Sequence, residues 1–173
     1  MFIILKVRLF NQGIDVIEVS DDGTGIPKHS RPLVAMKHAT SKILSFDDLY
    51  KDVLIDGQMK PNHLGFRGEA LFSLVQISQN LIVCTRTENE EMAQQIQFNR
   101  DGYLDPKSVK DVARKVGTTV AVVKLFDKLP VRRADMIKRL KSQRAKLLKL
   151  MQACKLLSYW IYFRGLTLFK NLI

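Results

Sequence analysis

Two runs in which apolar positions outnumber polar ones, residues 2 to 9 and 14 to 20, are rich in Ile, Val, Leu and Phe and predict a pair of strands. Asn11, Gln12 and Gly13 separate the two runs, so they read as a β-hairpin. LIVCTRT at 81 to 87, QQIQF at 94 to 98 and TTVAVVKLF at 118 to 126 predict three further strands, with an NRDG turn after the second. Helical signals lie between: residues 28 to 38, Leu44 to Tyr50 with Ser45 as N-cap before Asp47 and Asp48, and Leu64 to Leu74 after a glycine-containing turn. From Asp52 to His63, the segment DVLIDGQMKPNH holds a glycine, a proline and several polar residues and reads as a loop.

Beyond Pro130 the pattern takes a period of about 3.6. Ile137, Leu140, Leu147, Met151 and Cys154 fall near one stripe, while Arg139, Arg144, Lys146 and Lys149 include positions pointing elsewhere. The pattern predicts an amphipathic helix with a basic outside. Helices flanking an antiparallel or mixed sheet make an α+β sandwich the most economical architecture.

With 173 residues, 46% of them apolar, the chain can bury a real core, and one domain or one domain plus a fragment is expected. The net charge of +11 matters once it is located: residues 1 to 127 balance 16 Lys and Arg against 16 Asp and Glu, whereas residues 128 to 173 carry 12 against Asp135 alone. That end suits a phosphate backbone or an acidic surface, or is simply a solvated helix face. Cys84 and Cys154 stand far apart with no CxxC and no nearby His pair, which points to neither a disulfide framework nor a zinc site. Lys6 and Arg8 interrupt the first apolar run and Arg164 the last, so neither a signal peptide nor a membrane span is expected, and a soluble, intracellular protein is.

The candidate chemistry begins at VSDDGTGIP, residues 19 to 27, which sets Asp21 and Asp22 against Gly23 and Gly25. A carboxylate at a strand end can accept from an exocyclic amine such as adenine N6, and glycines let backbone approach a flat ring; the same pattern also serves as a plain loop. HATSKI, residues 38 to 43, brings Thr40, Ser41 and Lys42 together, a set suited to phosphate oxygens or to capping a helix. LGFRGEAL, residues 64 to 71, places Gly65 and Gly68 around Phe66 and Arg67 before a helix, where backbone amides can cradle an anion.

In this order, DDGTGIP, HATSKI, LGFRGEAL, GTTV at 117 to 120 and LFDKLPVRR at 125 to 133 closely resemble the MutL family of DNA mismatch repair ATPases, nearest to its eukaryotic PMS branch and within the GHKL superfamily. The resemblance implies a GHKL-type sandwich of helices on a mixed, mostly antiparallel sheet. It implies ATP and Mg²⁺ as cofactors, DNA and a MutL-family subunit in a heterodimer as partners, no membrane, and a nuclear location. Asp21 would recognise adenine, with Gly23 and Gly25 shaping the pocket wall. Thr40, Ser41 and Lys42 would lie beside the triphosphate, Gly65, Phe66, Arg67 and Gly68 would form the lid, and Thr118 and Thr119 the floor near the base. Residues 1 to 127 would be a partial ATP-binding domain, and residues 128 to 173 a basic helix and the start of a second domain. Arg132, Arg133, Lys138, Arg139, Lys141, Arg144, Lys146 and Lys149 are the candidate DNA contacts.

Three departures from the family qualify this expectation. The family's helix before the first strand, with its general-base Glu and Mg²⁺-binding Asn, has no counterpart, and the chain holds no Glu-x-x-x-Asn pair elsewhere. The second α/β domain, with its phosphate-reaching lysine, is mostly missing, and DVLIDGQMKPNH lengthens the lid connection. Hence no catalytic residue and no metal ligand is assigned, ATP hydrolysis is expected to belong to the parent family and to be lost in this chain, and the alternative is a non-catalytic DNA- or partner-binding fragment.

Overall fold

The computed structural model describes residues 3–39, 52–55, 58–61, 68–157 and 161–169. The expected α+β sandwich is observed. A seven-stranded sheet is built from β1 (Ile3–Phe10), β2 (Val16–Asp21), β5 (Asn80–Arg86), β6 (Ala93–Phe98), β7 (Lys110–Val112), β8 (Gly117–Val123) and β9 (Ile161–Phe169). Its order is β7-β6-β5-β8-β2-β1-β9. Every pairing is antiparallel except the outermost, where β9 runs parallel to β1. Between β2 and β5 lie the hairpin of β3 (Asp52–Ile55) and β4 (Gln58–Pro61) and the helix α1 (Ala70–Ile77); α2 (Pro130–Lys138) and α3 (Leu140–Leu157) precede β9.

Strand alternation divides the sheet into two unlike faces. Leu81, Val83 and Thr85 of β5 are buried while their neighbours Ile82, Cys84 and Arg86 are only partly covered. With Ile96, Phe98 and Val122, Leu81 and Val83 pack against Val75 of α1 and Ala35, forming the main core. Fully burying a side chain such as Leu81 contributes roughly 1.5–3 kcal/mol. A second cluster sets Met151 and Leu147 of α3 over Val7, Leu9 and Ile17, which is why the helical stripe of the C-terminal region matches the sheet. Among the described residues, the opposite face forms a groove of about 640 Å³, lined by Lys6, Arg8, Glu18, Ser20, Cys84 and Thr119 among others.

Several local expectations change. DVLIDGQMKPNH is not all loop: its ends pair as β3 and β4, with Ile55 opposite Gln58. The two residues between them are Asp56 and Gly57, a dipeptide suited to a tight hairpin, and Val53, Leu54 and Ile55 are strand formers. The helix expected over 28–38 is a 3-10 stretch, Lys28–Leu33, followed by turns; Pro32 within it has no amide to donate. The expected strand 118–126 ends at Val123, because Lys124 and Phe126 both take positive φ. The single basic helix is two, divided at Arg139, whose amide is shared between the carbonyls of Asp135 and Met136 in the three-centre manner of a helix end. Ile137 is correspondingly off the stripe and 43% exposed. The expected helix 44–50, Ser45 included, lies outside the described residues.

Candidate functional site

The two adjacent aspartates serve different strands. Asp22 turns back to β1, where its Oδ1 accepts from the Ile4 amide at 2.6 Å. Asp21, the last residue of β2, faces the other way, and its Oδ1 accepts from the amides of Gly23 at 2.9 Å and Thr118 at 3.1 Å. The first bond closes an Asx-type turn within the chain, and the second ties that turn to the start of β8. Nothing among the described residues hydrogen-bonds the Oδ2 of Asp21. One carboxylate oxygen thus fixes the side chain, and the other is left for an incoming donor.

Backbone packing makes the glycine at 25 obligatory. Gly25 has φ +77°, and a Cβ there would stand 2.1 Å from the Arg86 carbonyl oxygen. The turn is therefore pressed against the end of β5. Thr85 completes the junction, accepting from the Ile26 amide at 2.8 Å, contacting the Gly117 carbonyl at 3.2 Å and meeting the Thr118 hydroxyl at 3.1 Å. Because successive strand residues face opposite ways, the Thr118 hydroxyl turns to Thr85 while that of Thr119 does not, and it is the Thr118 backbone amide that reaches Asp21. The Thr119 hydroxyl instead donates to Ser20 at 2.9 Å and accepts from Arg114 Nε at 3.1 Å on the groove face. Arg114 also reaches the Asp21 carbonyl at 2.9 Å, so the strand end is held from both faces.

On the far side of the turn stands a network that no motif announced. Arg31 is 2% exposed. Its Nε donates to the Ile26 carbonyl at 3.0 Å, its Nη1 to Gln94 and its Nη2 to both carboxylate oxygens of Glu90. Glu90 also accepts from the amide and hydroxyl of Thr87, each at 2.8 Å. Burial alone would raise the Glu90 pKa; the bonds from Thr87 and Arg31 together outweigh it and hold the carboxyl down at about 2. Arg31 and Glu90 are 59 residues apart, and strand periodicity offers no signal that joins them.

Of the other predicted residues, Gly68 is placed at the junction of two motifs. It has φ +61°, its carbonyl accepts from the His38 amide at 3.1 Å, and a Cβ there would lie 2.3 Å from the Ala39 carbonyl oxygen. The start of HATSKI and the end of LGFRGEAL are thus adjacent. Thr40, Ser41, Lys42, Gly65, Phe66 and Arg67 lie outside the described residues. Among the described residues, no group of three or more His, Cys, Asp and Glu could hold a metal ion.

The basic residues are distributed over two helices rather than along one stripe. Arg132, Lys138, Lys141, Arg144, Lys146 and Lys149 are exposed, Arg139 pairs with Asp135 at 2.8 Å, and Arg133 reaches the Leu125 carbonyl at 3.5 Å. Arg132 and Arg144 also border an apolar cavity of about 750 Å³ whose walls include Leu9, Ile17, Leu125 and Leu147. No helix among the described residues is long and apolar enough to cross a membrane.

No family model matches the chain. It is 40% identical over 154 residues to the mismatch repair endonuclease pms1 of Dictyostelium discoideum, covering 89% of this chain and 14% of that protein. The chain thus spans about a seventh of the length of that relative. Among solved structures, the N-terminal domain of a DNA repair protein matches 92% of this chain and 41% of its own with a TM-score of 0.71 at 32% identity. The Aquifex aeolicus MutL ATPase domain complexed with ADP matches 97% of this chain and 52% of its own with a TM-score of 0.65, a likeness of fold at 23% identity. The chain belongs to the MutL/PMS family of DNA mismatch repair proteins and has the fold of part of their ATPase domain.

Proposed function

We propose that this chain carries the adenine-recognising part of an ATP site in a mismatch repair protein. The observation that carries the reading is Asp21, held at Oδ1 by two backbone amides with Oδ2 left over for the base's exocyclic amine. The described residues fit the base: Gly23 and Gly25 keep side chains away from the turn, and Thr118 stands beside the carboxylate. The ADP-bound structure of a fold relative supports a nucleotide as the ligand. Thr40, Ser41, Lys42, Gly65, Phe66, Arg67 and Gly68 are proposed to serve the phosphates.

The nucleotide supplies a phosphoanhydride bond, and this chain's part is to bind and orient the base end. Hydrolysis, Mg²⁺ binding, a MutL-family partner and a nuclear setting are proposed for the whole protein rather than for these 173 residues. NMR titration with millimolar ADP and IDP tests the reading. Adenine-selective shifts at Asp21 and Thr118, lost in Asp21→Asn, are expected; equal shifts with both nucleotides, or none, overturn it.

The exposed basic side chains of α2 and α3 favour a second role in binding DNA. Such binding is independent of sequence and weakens with salt, each neutralised phosphate contributing roughly 0.9 to the slope of log affinity against log salt. Affinity that is unchanged by salt would reduce these residues to a solvated surface.

A further inference from the structure

The turn that follows Asp21 is restrained on both sides at one residue. The Ile26 amide donates to Thr85, and its carbonyl accepts from Arg31. Arg31 cannot drift, because its remaining donors are bound by Glu90 and Gln94, and Glu90 is itself fixed by Thr87. Thr87 directly follows Arg86, whose carbonyl abuts Gly25. The guanidinium thus links the β5–β6 hairpin to the turn at the same place where the two backbones touch.

An ion pair between a buried Arg31 and a partly buried Glu90 is a poor device for stability alone. Withdrawing both charges from water costs several kcal/mol, and well-packed apolar replacements are often as stable or more so. What such a pair supplies here is direction, since a planar fork with several donors fixes its acceptors relative to one another. We propose that Arg31, backed by Glu90 and Gln94, is a positioning residue that holds the Gly23–Ile26 turn so that the Asp21 carboxylate meets the base in one orientation. This inference rests on the nucleotide reading for its ligand, and on the hydrogen-bond geometry for its mechanism.

Three variants separate positioning from folding. Arg31→Met with Glu90→Gln removes both charges and leaves an unbranched apolar side chain in place of the guanidinium. It is expected to fold with a melting temperature close to the parent's. Its preference for ADP over IDP should nevertheless fall about tenfold, the scale of one charge-assisted hydrogen bond, and exchange of the Ile26 amide should accelerate by a similar factor. Val75→Ala, a core truncation away from the turn, should lower the melting temperature and leave the preference intact. Arg31→Lys keeps a cation opposite Glu90 but cannot span the Ile26 carbonyl and Gln94 together, so it should restore folding more than selectivity.

If the double variant keeps both the parent's base preference and its Ile26 protection, the proposal is overturned. If the parent itself shows no preference for ADP, the nucleotide reading falls, and Ile26 exchange then decides the mechanical part: faster exchange in the double variant upholds it and unchanged exchange rejects it.

Discussion

The end of the sheet at Asp21 and the basic elbow of α2 and α3 handle charge in opposite ways. At the sheet end, Asp21, Arg31, Glu90 and Arg114 each have named acceptors or donors, and each has a backbone group among them. At the elbow, Lys138, Lys141, Lys146 and Lys149 project into water, and the Arg139–Asp135 pair is itself exposed. The first arrangement fixes a direction, which selective recognition requires. The second supplies a field, which suffices for a polyanion read by charge.

Leaving one partner of the first region unpaired should therefore disturb the fold as well as the ligand, and breaking the second should disturb the ligand alone. The largest effect is expected at Gly25. Gly25→Ala drives a Cβ into the Arg86 carbonyl at a positive φ, and urea denaturation should show a loss of about 3–5 kcal/mol, the range of the severest single substitutions.

Next comes Glu90→Gln alone, which leaves Arg31 buried without its anion. It should cost about 3 kcal/mol, the lower end for breaking a buried pair. The same variant alters the acid limb. Glu90 titrates lower in the folded chain than in the unfolded one, so its contribution is present above the unfolded value near 4.5 and is lost as pH falls toward about 2. Melting temperatures across that interval should decline less steeply in Glu90→Gln than in the parent. Equal slopes would detach Glu90 from the stability of the turn.

A smaller change in stability, but a clear one in binding, is expected from replacing Lys141, Arg144, Lys146 and Lys149 together by Ala. DNA affinity should fall at low salt and the salt slope should shrink by roughly 0.9 for each phosphate contact removed, with the folded structure retained by circular dichroism. Smallest of all is Asp135→Ala: its exposed pair with Arg139 should be worth no more than about 0.5 kcal/mol in thermal unfolding.

What could be read from residues alone follows the range of the interaction. Local composition located β1, β2, β5 and β6. The short motifs brought Asp21, Gly23, Gly25 and Gly68 to attention, and the structure places the first three in one turn. The β3–β4 hairpin was hidden by its Gly and Pro, and β7 is only three residues long. β9 was visible as an apolar run, but its partner β1 lies at the other end of the chain, and no local period reveals that. Arg31 was invisible for the same reason: its meaning depends on Glu90 and Gln94, which tertiary folding alone brings within reach. The pair Thr118 and Thr119 carries a further lesson, since neighbours within one motif part company across a strand.

The parallel pairing of β1 with β9 also sets a timetable for synthesis. Ile3 aligns with Ile161, so the outer edge of β1 waits for a strand translated about 150 residues after it. At ~5–20 residues per second, the ribosome leaves that edge without its partner for roughly 8–30 seconds. Its unpaired amides and carbonyls are during that time a template for strands of other chains. Cells making this protein have the greatest need of chaperone cover in that interval, and slowing translation between α3 and β9 should increase aggregation of the nascent chain.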